Sequence, residues 1–599
     1  MKNRFRIRIT SLLSMVLATI AIALFALPAR AQELSPWSAP VNVNNIVLSD
    51  GTICPAVVNS TSPDRNDTHP TLSKDGLSLY FASTRPGPDS NGQVGLGNYD
   101  LWVTHRDGPD KCWNSPLNLG PVVNSPAQDF APNLSPDSHW LYFHSARPTW
   151  KRADGVTVSS CGGIDLYVSH RMDTGNDLGW ENPINLGCNT INTPGFDQAG
   201  PSYIEDATTG TSFLYYTQKP TPSPGTQNDF LFDIYVSTCT KDLATCNTPN
   251  TWGPGVPVNA LNSPVRDTRT AIRRDGLEMI LSSGRTGSLG FENLWVSTRP
   301  AVALDQGNWS TPEPINCDDK PGCSPWNPQG PLVNSDAFDG GPALSWDGTE
   351  LYFFRVRADN LNNASCTEGV VQEPPQDPAT GPVCRDLYVS KRTYITNTGL
   401  SSSANPSVLG QSVSFTATVT SANDSAPTGT VTFSDGSTSL GTSALASGQT
   451  TLTMSSLSVG SHPITGQYGG DRISGGSSGS LTQNVEYGIC PLYIQTRSVH
   501  SGATFPIKLQ LCDANGNNVS SSAIVVHATL VAAISGFSGT PDSPGNANPD
   551  NDFRFDPTLG SSGGYIFNLS TGGLAPGTYS LQFTAGSDPV THSVNFGVN

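Results

Sequence analysis

Apolar positions along this chain come in short alternating runs bounded by Gly, Pro, Asn and Ser, and the runs return in a fixed order. "SKDGLSLYFASTRPG" at residues 73–87 is echoed by "SPDSHWLYFHSARPT" from Ser135, "RRDGLEMILSSGRTG" from Arg273 and "SWDGTELYFFRVRAD" from Ser345. Aligned on Trp113, Trp180, Trp252 and Trp309, each unit offers four strand candidates. They are the segment after a shared Asp, the "LYF" run, a "DLYVS" run and a "W-x-x-P-x-N" run. The "S-x-D-G" between the first two is a hairpin signal, with Gly supplying the positive φ. Asp75, Asp275 and Asp347 in that motif read as turn residues.

Four-stranded antiparallel units repeated about an axis make the blades of a β-propeller. The chain therefore reads as all-β, with a five-bladed propeller over residues 32–393 and a six-bladed one, its sixth blade degenerate, as the alternative. The final "DLYVSKR" lacks a following "W-x-x-P" run, whereas "WSAPVNVNN" from Trp37 has no blade before it. Pairing the two completes the last blade and hides both edges.

The pattern "D-x-x-P-x-[LF]-S-x-D-G-x-x-L-Y-F-x-S-x-R" leading to "DLYVS" resembles the WD-like propeller repeat of the TolB type. The resemblance covers residues 32–393 and implies the fold alone. That family includes scaffolding, protein-binding, peptidase-associated and polysaccharide-cleaving members. TolB itself has six blades and a different companion domain, so this chain departs in number. Residues 394–486, with "SVSFTATVTS" and "GTVTFSDGSTSLGTSAL", resemble the bacterial immunoglobulin-like repeat of cell-surface proteins. Residues 487–599, with "FPIKLQLCD", "GYIFNLST" and "GTYSLQFTAG", read as a second β-sandwich resembling terminal modules of secreted bacterial proteins.

Lys2, Arg4, Arg6 and Arg8, the apolar run 11–27 and Ala29-Arg30-Ala31 make residues 1–31 an export signal, so a periplasmic, extracellular or cell-surface destination is expected. No later run reaches the roughly 18 apolar residues of a membrane helix, which argues against membrane insertion. With net charge −17, neither nucleic acid nor an anionic membrane is an expected partner. The 12 cysteines, an even number, suit a disulfide-forming compartment. Sequence proximity pairs Cys239 with Cys246, Cys317 with Cys323, Cys366 with Cys384 and Cys490 with Cys512. Cys54, Cys112, Cys161 and Cys188 remain to pair among themselves. Cys161 and Cys188 share one propeller face, which favours their bridge; Cys54 and Cys112 fall on opposite faces. No CxxC or CxxH spacing supports zinc, and no cofactor is expected.

One Asp opens each unit: Asp67, Asp129, Asp197, Asp267 and Asp339. Arg85, Arg147, Lys219, Arg285 and Arg357 close the second strands. A ring of carboxylates suggests glycoside hydrolysis. Catalysis, however, needs two carboxylates in different environments, and an Asp repeated in every unit fits an ion pair or a turn cap better. Chemistry should lie where the units differ. Connections 86–98, 148–163, 220–231 and 358–385 are unequal and share a face, the expected binding face. His69, His144 and Arg269 break the symmetry on inner strands, and Trp150 and Trp326 do so in loops or junctions. Trp150 with Lys151 and Arg152 suits a sugar ring or an anionic sugar. No G-x-S-x-G, Walker, H-E-x-x-H or Rossmann pattern occurs. "NANPDNDFRFD" lacks calcium-loop spacing and reads as an acidic loop. The leading expectation is a secreted, non-enzymatic binding protein for a glycan or a protein. The rival is a polysaccharide-active glycosidase or lyase.

Overall fold

The structure, a computed structural model, describes residues 34–60, 65–151, 155, 157–220, 231–289, 292–302, 307–315, 333–335, 337–356, 385–423, 425–534, 538–541 and 547–599. The segment 1–31, Trp326, Arg152, Arg357, and the pairs Cys317/Cys323 and Cys366/Cys384 lie outside the described residues. Two compact units divide the chain, Met1–Arg392 and Thr393–Asn599. Both are all-β. The longest α-helix among the described residues is a single turn, Leu243–Cys246, and none is long and apolar enough to cross a membrane.

Among its described residues, the first unit contains five four-stranded antiparallel sheets. In chain order their innermost strands are Asp67–Leu72, Asp129–Leu134, Phe196–Asp206, Asp267–Ile272 and Asp339–Leu344. The outermost strand of the fifth sheet comes from the other end of the unit. Val41–Asn42 pairs antiparallel with Arg385–Lys391, Val41 opposite Val389 and Asn42 opposite Tyr388. The innermost strands touch one another: first against second and fifth, second against third, third against fourth, fourth against fifth. Because each sheet packs its two faces on neighbouring sheets, "SLYFAS" and "DLYVSH" are buried on consecutive residues and do not alternate.

Three polar devices repeat, two of them between neighbouring sheets and the third within a sheet. Before each innermost strand an Asn clamps the backbone of the preceding sheet. Asn124 Oδ1 accepts the Leu101 N–H at 2.8 Å, and its amide donates to the Leu101 carbonyl at 3.0 Å. Asn59 does the same to Leu387, Asn192 to Leu166, Asn262 to Ile234 and Asn334 to Leu294. At the other end of the sheets an Arg following the third strand stacks on the next Trp and reaches into the preceding sheet. Arg106 lies 4.4 Å from Trp113 and meets Glu350 at 3.1 Å. Arg171 lies 4.5 Å from Trp180 and donates to the Tyr80 hydroxyl at 3.0 Å. Arg299 on Trp309 and Arg392 on Trp37 repeat the arrangement. In the third sheet Cys239 stands in place of the Arg and bonds to Cys246.

The third device is the Asp pair. Arg85, Arg147 and Arg285 engage Asp67, Asp129 and Asp267 from two positions beyond the residue directly opposite. Two sheets differ. Lys219 lies directly opposite Asp197, 3.7 Å away. Asp339 is met by Arg355, directly opposite at 2.5 Å; the expected Arg357 lies outside the described residues. In both cases the cation replaces the Ser that faces the Asp elsewhere.

Cys161–Cys188 forms. So does Cys54–Cys112, and the expected obstacle of opposite faces is overcome by the chain path. After Asn42 the backbone descends between the fifth and first sheets, where Ile46, Val57 and Val58 pack with Trp102 and Trp113, carrying Cys54 across to Cys112.

In the second unit, strands alternate: Val413–Ser421 and Gly577–Ala585 bury every other residue. Two sandwiches share a plan. Each has a five-stranded sheet edged by a short parallel pairing, Ser407–Val408 with Val485–Glu486 and Ser498–Val499 with Gly597–Val598. Phe415, Phe433, Ile464 and Tyr468 centre one core; Phe505, Leu509, Phe567, Phe583 and Phe596 centre the other. Cys490–Cys512 links two neighbouring strands of the second sandwich.

Candidate functional site

The innermost strand of every sheet is bulged, and the bulge carries a left-handed residue: His69, Ala131, Gly200, Arg269 and Gly341, with φ of 50°, 52°, 60°, 47° and 60°. Glycine adopts this conformation freely, but at His69, Ala131 and Arg269 it costs on the order of 1–3 kcal/mol each. At Gly200 the absence of a side chain also makes room for Arg269, whose Nη1 would lie 2.5 Å from an added Cβ.

The structure brings His69, His144 and Arg269 together around Phe130, although they come from the first, second and fourth sheets. The His69 ring lies 4.3 Å from Phe130 and 5.0 Å from Phe354. The His144 ring is 5.2 Å from Phe130, and the Arg269 guanidinium stacks on the same phenyl at 5.2 Å. Gly200 N–H donates to His144 Nδ1 at 3.2 Å, and Arg269 Nη1 approaches that nitrogen at 3.5 Å. Nδ1 therefore accepts, and the ring proton sits on Nε2. Burial first, then the Arg269 charge, pushes both imidazoles well below the usual histidine range, so both are neutral at pH 7.

His69 and Arg269 form part of the wall of a cavity of about 550 Å³ bounded by all five innermost strands. It extends from the bulges toward the hairpin turns, where Lys74, Glu205, Arg274, Asp275 and Trp346 line it. Lys74 Nζ lies 4.8 Å from the Trp346 ring. This is the end of the sheets opposite connections 86–98 and 148–163, where ligand contact was expected. Trp346 was read only as part of a turn; its signal was being the one tryptophan among the "S-x-D-G" tips.

The five opening Asp residues are not in the wall of this cavity. Each is buried and engaged by its cation. Four also cap the incoming loop: Ser60, Ser125, Ser263 and Ser335 N–H donate to Asp67, Asp129, Asp267 and Asp339 at 2.5–2.6 Å. Burial raises the Asp339 carboxyl despite Arg355. A second set opens the third strands, among which burial lifts Asp100 to about 6. Trp150 packs locally, 5.1 Å from the Arg147 guanidinium and 6.0 Å from Tyr167, and Trp150–Lys151 pairs antiparallel with Thr157–Val158. In the acidic loop of the second unit, Asp552 pairs with His527 and Asp556 caps Thr558; no metal-binding cluster occurs among the described residues.

Residues 400–486 match the family described as bacterial Ig-like domain (group 3). No curated protein matches the chain. Among solved structures, the chain is similar to an alpha-L-arabinofuranosidase from Lactobacillus brevis, with 13% identity, TM-score 0.32, and 55% of this chain and 92% of that one covered. It is also similar to an N-acetylgalactosamine deacetylase from F. plautii, with 13% identity, TM-score 0.33, and coverages of 61% and 96%. An exo-beta-1,3-galactanase from Phanerochaete chrysosporium gives 11% identity, TM-score 0.28, and coverages of 76% and 93%. At these scores none of the three bears on the activity of this chain.

Proposed function

We propose that residues 32–393 form a closed five-bladed propeller of the TolB-like kind, exported behind a cleaved segment 1–31. In this reading the propeller is a non-enzymatic binding protein for a saccharide unit of a glycan, and modules 394–486 and 487–599 serve as spacer or attachment. The closing pairing of Val41–Asn42 with the fifth sheet and the mutual contacts of the innermost strands support the closed ring. The observation that carries the function is the placing of His69 and Arg269, in the left-handed backbone, on the wall of the axial cavity. Strained residues persist where the surroundings over-determine them, and such places are commonly ligand sites. The cavity volume lies within the roughly 300–1,000 Å³ of small-ligand pockets. Arg269 and Lys74 suit hydroxyl or carboxylate oxygens, and the Trp346 ring offers an apolar face for a sugar.

A polysaccharide-active enzyme is the second reading, favoured by the convergence of an Arg and two His on one axis. Against it, each opening Asp is held by a cation, so none is placed as an acid–base pair facing the cavity. Equilibrium binding to a glycan panel, run beside hydrolysis and β-elimination assays, separates the two. Binding without turnover is expected, weakened about tenfold or more by Arg269→Met or Trp346→Ala at unchanged melting temperature. Turnover on any panel member, or binding indifferent to both substitutions, rejects the reading.

A further inference from the structure

We infer that the opposite end of the same axis holds a second site, built for the anionic group of a small ligand. Folded proteins leave few buried polar atoms unpaired. Here Asn66 Nδ2, both amide atoms of Gln128, Gln198 Oε1 and His144 Nε2 have no hydrogen-bond partner among the described residues. All four residues are at most 3% exposed.

Their positions in the repeat place them together. Asn66 and Gln128 immediately precede the opening Asp in the first and second sheets, where Arg266 stands in the fourth. Gln198 immediately follows it in the third, the position of Phe130 in the second. Residues two apart in extended chain share a side, so Gln128 lies beside Phe130. The Gln128 carbonyl accepts the Ala146 N–H, which sets Gln128 diagonally across the ladder from His144.

Three of the five open atoms are donors, the acceptors being Gln128 Oε1 and Gln198 Oε1. Asn66 Oδ1 already accepts the Arg385 N–H at 3.0 Å, leaving its amide as donor. His144 presents Nε2–H because Nδ1 is engaged by Gly200. Gln128 adds a third N–H. The charges of Arg266, Arg269 and Arg385 all bear on His69 in this region. The nearby Glu292 carboxylate is met by Arg266 at 2.5 Å and by the Thr268 hydroxyl. Three N–H donors with arginines close by suit a carboxylate, as on an acidic sugar, or an inorganic anion. This site stands independently of the cavity at the hairpin end.

The test uses the full-length protein labelled with nitrogen-15 in the histidine rings, titrated with sodium chloride, sodium D-glucuronate and neutral D-glucose. The His144 Nε2–H resonance should move with an anion and stay still with glucose. Response to chloride alone assigns the site to an inorganic anion, and response to glucuronate assigns it to a carboxylate. Gln128→Leu should abolish the response without lowering the melting temperature, since it removes an unpaired amide. Asn66→Asp, which places a carboxylate where the anion would sit, should abolish it too. Trp346→Ala, at the cavity mouth, should leave it intact. The site is rejected if neither anion moves the resonance, if glucose moves it equally, or if both variants respond like the wild type.

Discussion

The two units solve the same problem, holding β-sheets together, with different chemistry. In the second unit each sheet has one dry face, and Phe, Leu, Ile and Val at alternate positions supply the cohesion. In the first unit both faces of each sheet are covered, so apolar packing alone does not distinguish one neighbour from another. Directional contacts make the distinction instead: the Asn clamp on a neighbouring strand backbone and the Arg of the Arg–Trp stack reaching into the preceding sheet, with the Asp–cation pair fixing the strands inside each sheet. Buried polar groups of this kind must all be satisfied, and a satisfied set fixes one arrangement. Where stacking has many near-equivalent solutions, polar joints choose among them.

That contrast can be broken most severely at Asp129. Asp129→Ala leaves Arg147 buried without its carboxylate and should destabilise the first unit by about 3–5 kcal/mol, with the second unit's transition unmoved. Calorimetry resolving both transitions measures this. The reciprocal change, Phe433→Ala, should cost a comparable ~3–5 kcal/mol in the second unit alone. A single joint is a finer probe. Asn124→Ala strands the Leu101 N–H and carbonyl, for about 2–4 kcal/mol in the first unit, whereas a surface Thr416→Ala in the second should register almost nothing.

The smallest effect concerns pH. His144 has its folded pKa depressed, so below the unfolded value of about 6.5 the unfolded chain binds more protons and stability falls as pH falls. Its contribution is fully present above that value. Asp100, raised to about 6, acts in the opposite sense in the same window. Comparison with His144→Gln removes that background. Between about pH 6.5 and about pH 5, wild type should lose up to about 2 kcal/mol more than the variant, read from urea midpoints.

The repeat, its four strand candidates and the partner of the Trp37 segment were legible because each rests on local pattern that recurs in register. The Asp–cation pairs were legible in four sheets; in the fifth, Arg355 engages Asp339 because it lies directly opposite in the ladder, a register that the sequence does not display. The Asn clamps went unread, although "VNS", "INT" and "LNS" precede the Asp residues, because Asn before Ser or Thr looks like any turn. Cys239 hides for a different reason. Its match to Arg106 and Arg171 is positional, and nothing in its chemistry resembles a guanidinium. Cys54–Cys112 was obscured because strand order predicts which end a loop leaves from, whereas the path of the loop afterwards is set by where Ile46 and Val57 bury. The gathering of His69, His144 and Arg269 was visible only as three departures from a consensus.

The strand supplied by Val41–Asn42 makes the first unit wait for its own tail. Four sheets are complete within consecutive sequence, but the fifth lacks its outer member until residues 385–391 emerge and return to the segment that left first. A chain made from its N-terminus therefore holds that segment without its partner strand for some 340 residues (385 minus 42). That pairing is open only to a chain long enough to include residues 385–391, and a truncation before them leaves Val41–Asn42 without its partner strand.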